Sequence, residues 1–114
     1  MSEKGTYLRF DELPLQDPGG GSFRKNIVDK AGCQVTYIAH DVGAGHDFHQ
    51  HDESDEVLIF LKGHCVVGLG DSEIDVHGGS MIHAPRGVPH KVRYLAKSKV
   101  IRIKFPSMPV TGAS

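Results

Sequence analysis

Two histidines one residue apart, His49 and His51, with Glu56 five residues further on, have the types and spacing to do chemistry. Alternate side chains of an extended segment share a face, so His49 and His51 project the same way. Glu56 opens an apolar run over residues 57–61, and a short turn through 52–55 would carry it back beside them. Two imidazoles and a carboxylate meeting at one point make a transition-metal site with nitrogen and oxygen donors, not a sulfur site. A fourth donor lies further along. Pro85 and Gly87 shape a tight turn, and His90 emerges from it at the start of a strand over 91–95.

The element pattern around these residues is that of an all-β protein. Residues 6–10 (TYLRF) alternate and are rich in β-formers, which predicts a short first strand. Residues 11–21, with Pro14, Pro18 and three consecutive glycines, read as loop. An edge strand over 22–29 carries charges that discourage sheet-to-sheet pairing. Further strands are expected over 33–41, 57–61, 65–69, 73–77, 80–84, 91–95 and 99–105, separated by Gly and Pro turns. In the last of these, Ile101, Ile103 and Phe105 share one face while Arg102 and Lys104 share the other. No stretch shows helical periodicity, so short strands at regular spacing indicate a sandwich or barrel.

The spacing also resembles a known family. Gly43, five residues, His49-Gln50-His51, four residues, Glu56, six residues, Gly63 is similar to the first signature of the cupin superfamily. Gly79, five residues, Pro85-Arg86-Gly87, two residues, His90 is similar to the second, with Tyr94 where that pattern places asparagine. Together they span residues 43–94, nearly half the chain. The resemblance implies a cupin-type jelly-roll β-barrel with the metal inside. Residues 1–30 would form an arm with short edge strands, 31–106 the barrel and 107–114 a loose tail. It implies one divalent transition metal per chain (Fe, Mn, Ni, Co or Zn) held by His49, His51, Glu56 and His90. In some cupins the carboxylate at the position of Glu56 stays off the metal as a base; direct ligation is the expectation here. A homodimer, joined through edge strands or the arm, is also implied.

Composition removes several other classes. The 114 residues suffice for one domain and not two. Thirteen basic and fourteen acidic residues give a formal charge of −1 with no segregated block, so neither a nucleic-acid stripe nor an acidic tail is present. No apolar run is long enough for a membrane-spanning helix, and residues 1–14 lack the apolar segment of a secretory signal. A cytoplasmic protein is expected. Two cysteines do not make a disulfide framework, and no CxxC, GxSxG or phosphate-cradling glycine motif occurs. The acidic residues Asp52, Glu53 and Asp55 depart from calcium-loop spacing and read as a solvated turn.

All eight histidines fall between positions 40 and 90, an enrichment that belongs to the fold and not to a terminal tag. His40, His64 and His77 read equally well as polar strand residues facing water. His83 is a candidate catalytic residue if it faces the cavity, as a proton-exchanging group near neutral pH. Tyr94 shares parity with His90 and is the second such candidate, its phenol placed to donate to a substrate oxygen. Tyr37, Phe60 and Arg86 are candidate substrate contacts, the aromatics as wall or core and the arginine as an anion partner. The expected function is a metal-dependent small cupin enzyme acting on a small organic molecule that chelates through adjacent oxygens. The resemblance admits dioxygenases, isomerases, lyases and polyketide-type cyclases. The alternatives are a non-catalytic module that binds a sugar-like small molecule, and a protein with a structural metal.

Overall fold

The computed structural model describes residues 5–17 and 19–106. Nine strands run through them: β1 (Ser22–Lys30), β2 (Cys33–His40), β3 (Gly45–His49), β4 (Asp55–Lys62), β5 (His64–Leu69), β6 (Ser72–His77), β7 (Ser80–Ala84), β8 (His90–Tyr94) and β9 (Ser98–Phe105). They form a five-stranded sheet in the order β1-β2-β9-β4-β7 and a four-stranded sheet in the order β3-β8-β5-β6. Every pairing is antiparallel. The fold is all-β, with the two-sheet architecture of a jelly roll.

Alternation sets the interior. On β4, Glu56, Leu58 and Phe60 are buried and point inward, while Val57, Ile59 and Leu61 lie on the outer face. Leu58 and Phe60 pack with Cys65 and Val67 of β5, Val76 of β6, Ile82 of β7, Val92 and Tyr94 of β8, and Val100 of β9. This core closes one end of the barrel. Cys33 and Cys65 are free thiols.

The predicted strand over residues 6–10 does not form: residues 5–9 are irregular and a 3-10 turn follows at Phe10–Glu12. Alternation supplied β-forming side chains there but no neighbouring strand to pair with. The Phe10 ring instead stacks on Tyr37, centroids 4.7 Å apart and planes within 2°. Tyr37 is 2 % exposed on the outer face of β2, opposite Ile101. Both faces of the five-stranded sheet therefore bury apolar residues. The β1 strand is the sheet edge expected from its charges. The expected frayed start at residues 1–3 and loose tail at 107–114 lie outside the described residues.

Two backbone ties hold the segments that carry the histidines. Gly87 N–H donates to the His51 carbonyl at 2.7 Å, and Gly43 N–H donates to the Tyr94 carbonyl at 2.8 Å, with Tyr94 N–H returning to Ala44 at 2.9 Å. At Gly45, which opens β3, φ is +145° and a Cβ would stand 2.0 Å from the Val92 carbonyl oxygen. Only glycine lets β3 approach β8 this closely.

Candidate metal centre

His49, His51, Glu56 and His90 come together, and their ligand atoms all lie within 4.8 Å of one another. Each arrives from a different local setting. His49 is the last residue of β3. His51 lies just past it, outside any strand, so one extended strand carrying both histidines is not what brings them together. An irregularity in the β3–β8 ladder between His46 and His49 turns the segment, and the Gly87 tie then fixes His51. Glu56 points inward from β4, and His90 opens β8 with 2 % exposure. Gln50 faces away, its amide donating to Asp52 at 2.7 Å.

The spacings fit a metal ion. His90 Nε2 is 3.1 Å from His49 Nε2 and 3.1 Å from Glu56 Oε1, and His51 Nε2 is 3.6 Å from Glu56 Oε2. Bonds of about 2.1 Å place neighbouring ligand atoms roughly 3.0 to 3.4 Å apart, between right-angle and tetrahedral geometry. Tautomers fit as well. The His90 Nδ1–H donates to the Val88 carbonyl at 3.2 Å, so a metal that displaced the Nε2 proton shared with Glu56 would meet the Nε2 lone pair facing the cluster.

Electrostatics support the same reading. Burial raises the Glu56 carboxyl, but the hydrogen bond from His90 and the positive charges of Arg102 and Lys104 outweigh it and hold it at about 2. Glu56 is therefore an anion at every pH where the protein would work. The His90 imidazole is raised, chiefly by Glu56. Partial desolvation, then His46, His90 and His51, push His49 down to about 4, so it is neutral and free to ligate. His51 is lowered too, by desolvation and then Lys104.

Three members of the cluster, His49, His51 and Glu56, line a cavity of about 270 Å³ whose apolar floor is Ile38, Leu58 and Val92. Tyr94 lines it, 3 % exposed, its ring stacked on His40 at 3.9 Å. Burial raises the Tyr94 phenol far above neutrality, so it stays protonated and keeps its O–H to donate. A more open hollow of about 470 Å³ shares His51 and Lys104 with this cavity and carries Asp29, Asp52 and Glu53 on its rim.

Four of the other sequence candidates lie elsewhere. His83 is on the outer face of β7 and donates to Asp55 at 2.8 Å; Arg86 Nε donates to the same carboxylate at 2.9 Å. The two hold Asp55 down at about 2, His83 first. Inward parity on β7 belongs to Ile82 and Ala84, and that sends His83 outside. Tyr37 is under Phe10 on the outer face, as described above. Phe60 is a core side chain below the cavity. A His83→Ala variant should therefore keep wild-type metal stoichiometry; loss of metal on this change would put His83 back in the site.

Sequence reasoning missed His40, His46, Arg24, Arg102 and Lys104, all of which line the cavity. His40 faces inward, bonded to Ser22 Oγ at 2.8 Å. His46 is exposed on β3 and stacks on His49 at 4.0 Å. His64 and His77, like His83, lie on the outside, both donating to Asp75, at 2.6 and 3.0 Å. The signal for Arg102 and Lys104 was present in the alternation of β9. Apolar burial on both sides of that sheet hid which face was inward.

Burial, then Arg24, Arg102 and His46, push His40 from 6.5 down to about 4. Between those values the unfolded chain binds a proton at this position that the native state refuses. Stability then rises with pH across that window and is lost as pH falls through it. Urea unfolding of metal-free protein should show this slope, and His40→Gln should flatten it by up to about 1.4 kcal/mol per pH unit. An unchanged slope in the variant would place the acid sensitivity elsewhere.

Comparison with known proteins decides the family. The model of the cupin domain matches residues 36–102, more than half of the chain. The chain belongs to the cupin domain family. Among solved cupin-like structures, KdgF from Halomonas sp. superposes with a TM-score of 0.83 at 25 % identity, over 90 % of this chain and 96 % of that one. An RmlC-like cupin from Shewanella frigidimarina gives 0.81 at 20 % identity, over 94 % and 96 %. An uncharacterised protein of Streptomyces coelicolor is 24 % identical over 98 residues, 86 % of this cupin and 92 % of the relative. Among the described residues, no helix is long and apolar enough to cross a membrane.

Proposed function

We propose that this cupin is a metal-dependent enzyme acting on a small organic molecule that chelates through adjacent oxygens. The observation that carries the reading is the meeting of three imidazoles and one carboxylate, within 4.8 Å, at the wall of a cavity of about 270 Å³. His49, His51, Glu56 and His90 would hold one divalent ion, which would supply Lewis acidity for a bound oxygen. Four protein donors do not fill a six-coordinate ion, and structural sites are usually closed. That favours a working site over a structural one.

The remaining residues have defined tasks. The phenol of Tyr94 donates a hydrogen bond to a substrate oxygen and, being held protonated, cannot take a proton away. The ring of His40 supports Tyr94 from behind. Ile38, Leu58 and Val92 give the carbon skeleton an apolar floor and exclude water from it.

Elemental analysis of protein purified without added metal, set beside a His49→Ala/His51→Ala variant, tests the reading. The expected result is near one equivalent of a transition metal, lost in the variant. No uptake of manganese, iron, cobalt, nickel or zinc on titration would overturn it. A chelating ligand that binds to the loaded protein and is always recovered unchanged would favour a binding module instead.

A further inference from the structure

The cavity wall beside the histidines carries more positive charge than the protein itself compensates. Arg24 of β1, Arg102 and Lys104 of β9 all line it, and Glu56 is the one carboxylate among the lining residues. The ladders fix their arrangement. Arg24 stands opposite Ile38 and Arg102 opposite Thr36, so the two guanidinium groups flank β2 on its inner face. Arg102 is also opposite Leu58, and Lys104 is directly opposite Glu56. Cross-strand neighbours of this kind have Cβ atoms about 5 Å apart.

None of the three side chains makes a hydrogen bond or ion pair of the standard lengths among the described residues. Nε of Arg24 and Nε of Arg102 are both buried without a partner. Two guanidinium groups that each hold a buried Nε–H without an acceptor are costly unless something compensates them. Glu56 reaches Arg102 and Lys104 only through space, and its oxygens are committed to His90 and His51. Crowding is visible in the cations as well. Burial lowers Arg102 and Lys104, and Arg24 lowers both further. A divalent ion at the histidines would add to the excess.

We infer that Arg24, Arg102 and Lys104 form an oxyanion subsite, and that the molecule taken by this cavity carries a carboxylate or phosphate besides its chelating oxygens. This rests on the metal-dependent reading above and deepens it. The guanidinium groups offer paired N–H donors to such an anion, and Lys104, beside Glu56, stands between the anion and the metal ligands. The apolar floor then underlies a short carbon skeleton joining the two ends.

A matched pair of hydroxypyranones tests the inference. Kojic acid and comenic acid chelate through the same oxygens and differ in a hydroxymethyl group against a carboxylate. With Co(II)-loaded protein, calorimetry and the visible cobalt spectrum read binding without any assay of turnover. Comenic acid should bind at least about tenfold more tightly than kojic acid, as a charge-assisted hydrogen bond would give. Arg102→Gln should bring the ratio near one, and Arg102→Lys should retain part of the preference. Arg24→Gln, on the edge strand, repeats the test if the Arg102 variant does not fold. Acetate competing with comenic acid at lower concentration than inorganic phosphate identifies a carboxylate site, and the reverse order a phosphate site. Equal binding of the two pyranones, or a ratio untouched by both glutamine variants, overturns the subsite while leaving the metal reading in place. Failure of kojic acid to bind loaded protein overturns the chelation reading, and the inference with it.

Discussion

A His90→Ala variant should lose metal affinity by more than roughly 100-fold, because even loss of a residue that only supports a ligand costs 10–100-fold. His90 is the hinge of the cluster: its Nε2 is 3.1 Å from both His49 and Glu56, and no other member of the cluster touches two partners so closely. Removing it also leaves the Glu56 carboxylate buried without its main hydrogen-bond donor. Competition with a chromophoric chelator measures the loss, and circular dichroism checks that the sheets persist. Affinity within a few-fold of wild type would mean that the cluster is not the metal site.

Gly45→Ala should be the most damaging small substitution for the fold and the site together. Its Cβ would meet the Val92 carbonyl oxygen at 2.0 Å and Arg93 Cα at 3.0 Å, and backbone atoms cannot swing aside as a flexible side chain can. The positive φ adds strain of about 1–3 kcal/mol. Overpacking costs another 1–3 kcal/mol or so. Because β3 pairs only with β8, relief comes by moving β3 away, and His46 and His49 travel with it. Urea unfolding should show a loss of roughly 2–6 kcal/mol. The metal affinity of the folded fraction should fall with it. A wild-type midpoint would show that β3 does not need this close approach.

The four-residue cluster was legible in the sequence because His49, His51, Glu56 and His90 sit at fixed distances from turn-forming glycines and a proline, and turns are local. Strand positions were legible for a similar reason, since Gly and Pro mark the ends of almost every one. What each strand faces was harder to read. Val57–Leu61 is apolar on both sides, so nothing in it says that Leu58 and Phe60 are inside while Ile59 is outside. The same ambiguity put Tyr37 in the cavity and His83 beside it, and left Arg102 and Lys104 without a role. Face assignment on this sheet depends on the segment around Phe10 covering its outer surface, which is a tertiary fact. Where a single residue broke the tie, as His90 did for Tyr94, parity carried over correctly to the cavity wall.

The four-donor cluster also spans a seam. Glu56 belongs to the five-stranded sheet and His49 and His90 to the four-stranded one, and no ladder of hydrogen bonds joins the two. An ion held there would act as a cross-link between the sheets, closing a loop of 34 residues from Glu56 to His90. Mass action then raises the melting temperature whenever metal is in excess, by the equivalent of about 2.7 kcal/mol at a hundred times the dissociation constant. Thermal stabilisation by metal is therefore expected of a working site as much as of a structural one. In this barrel a melting curve reports occupancy, and exchange of outside ligands at the ion is what separates the two roles.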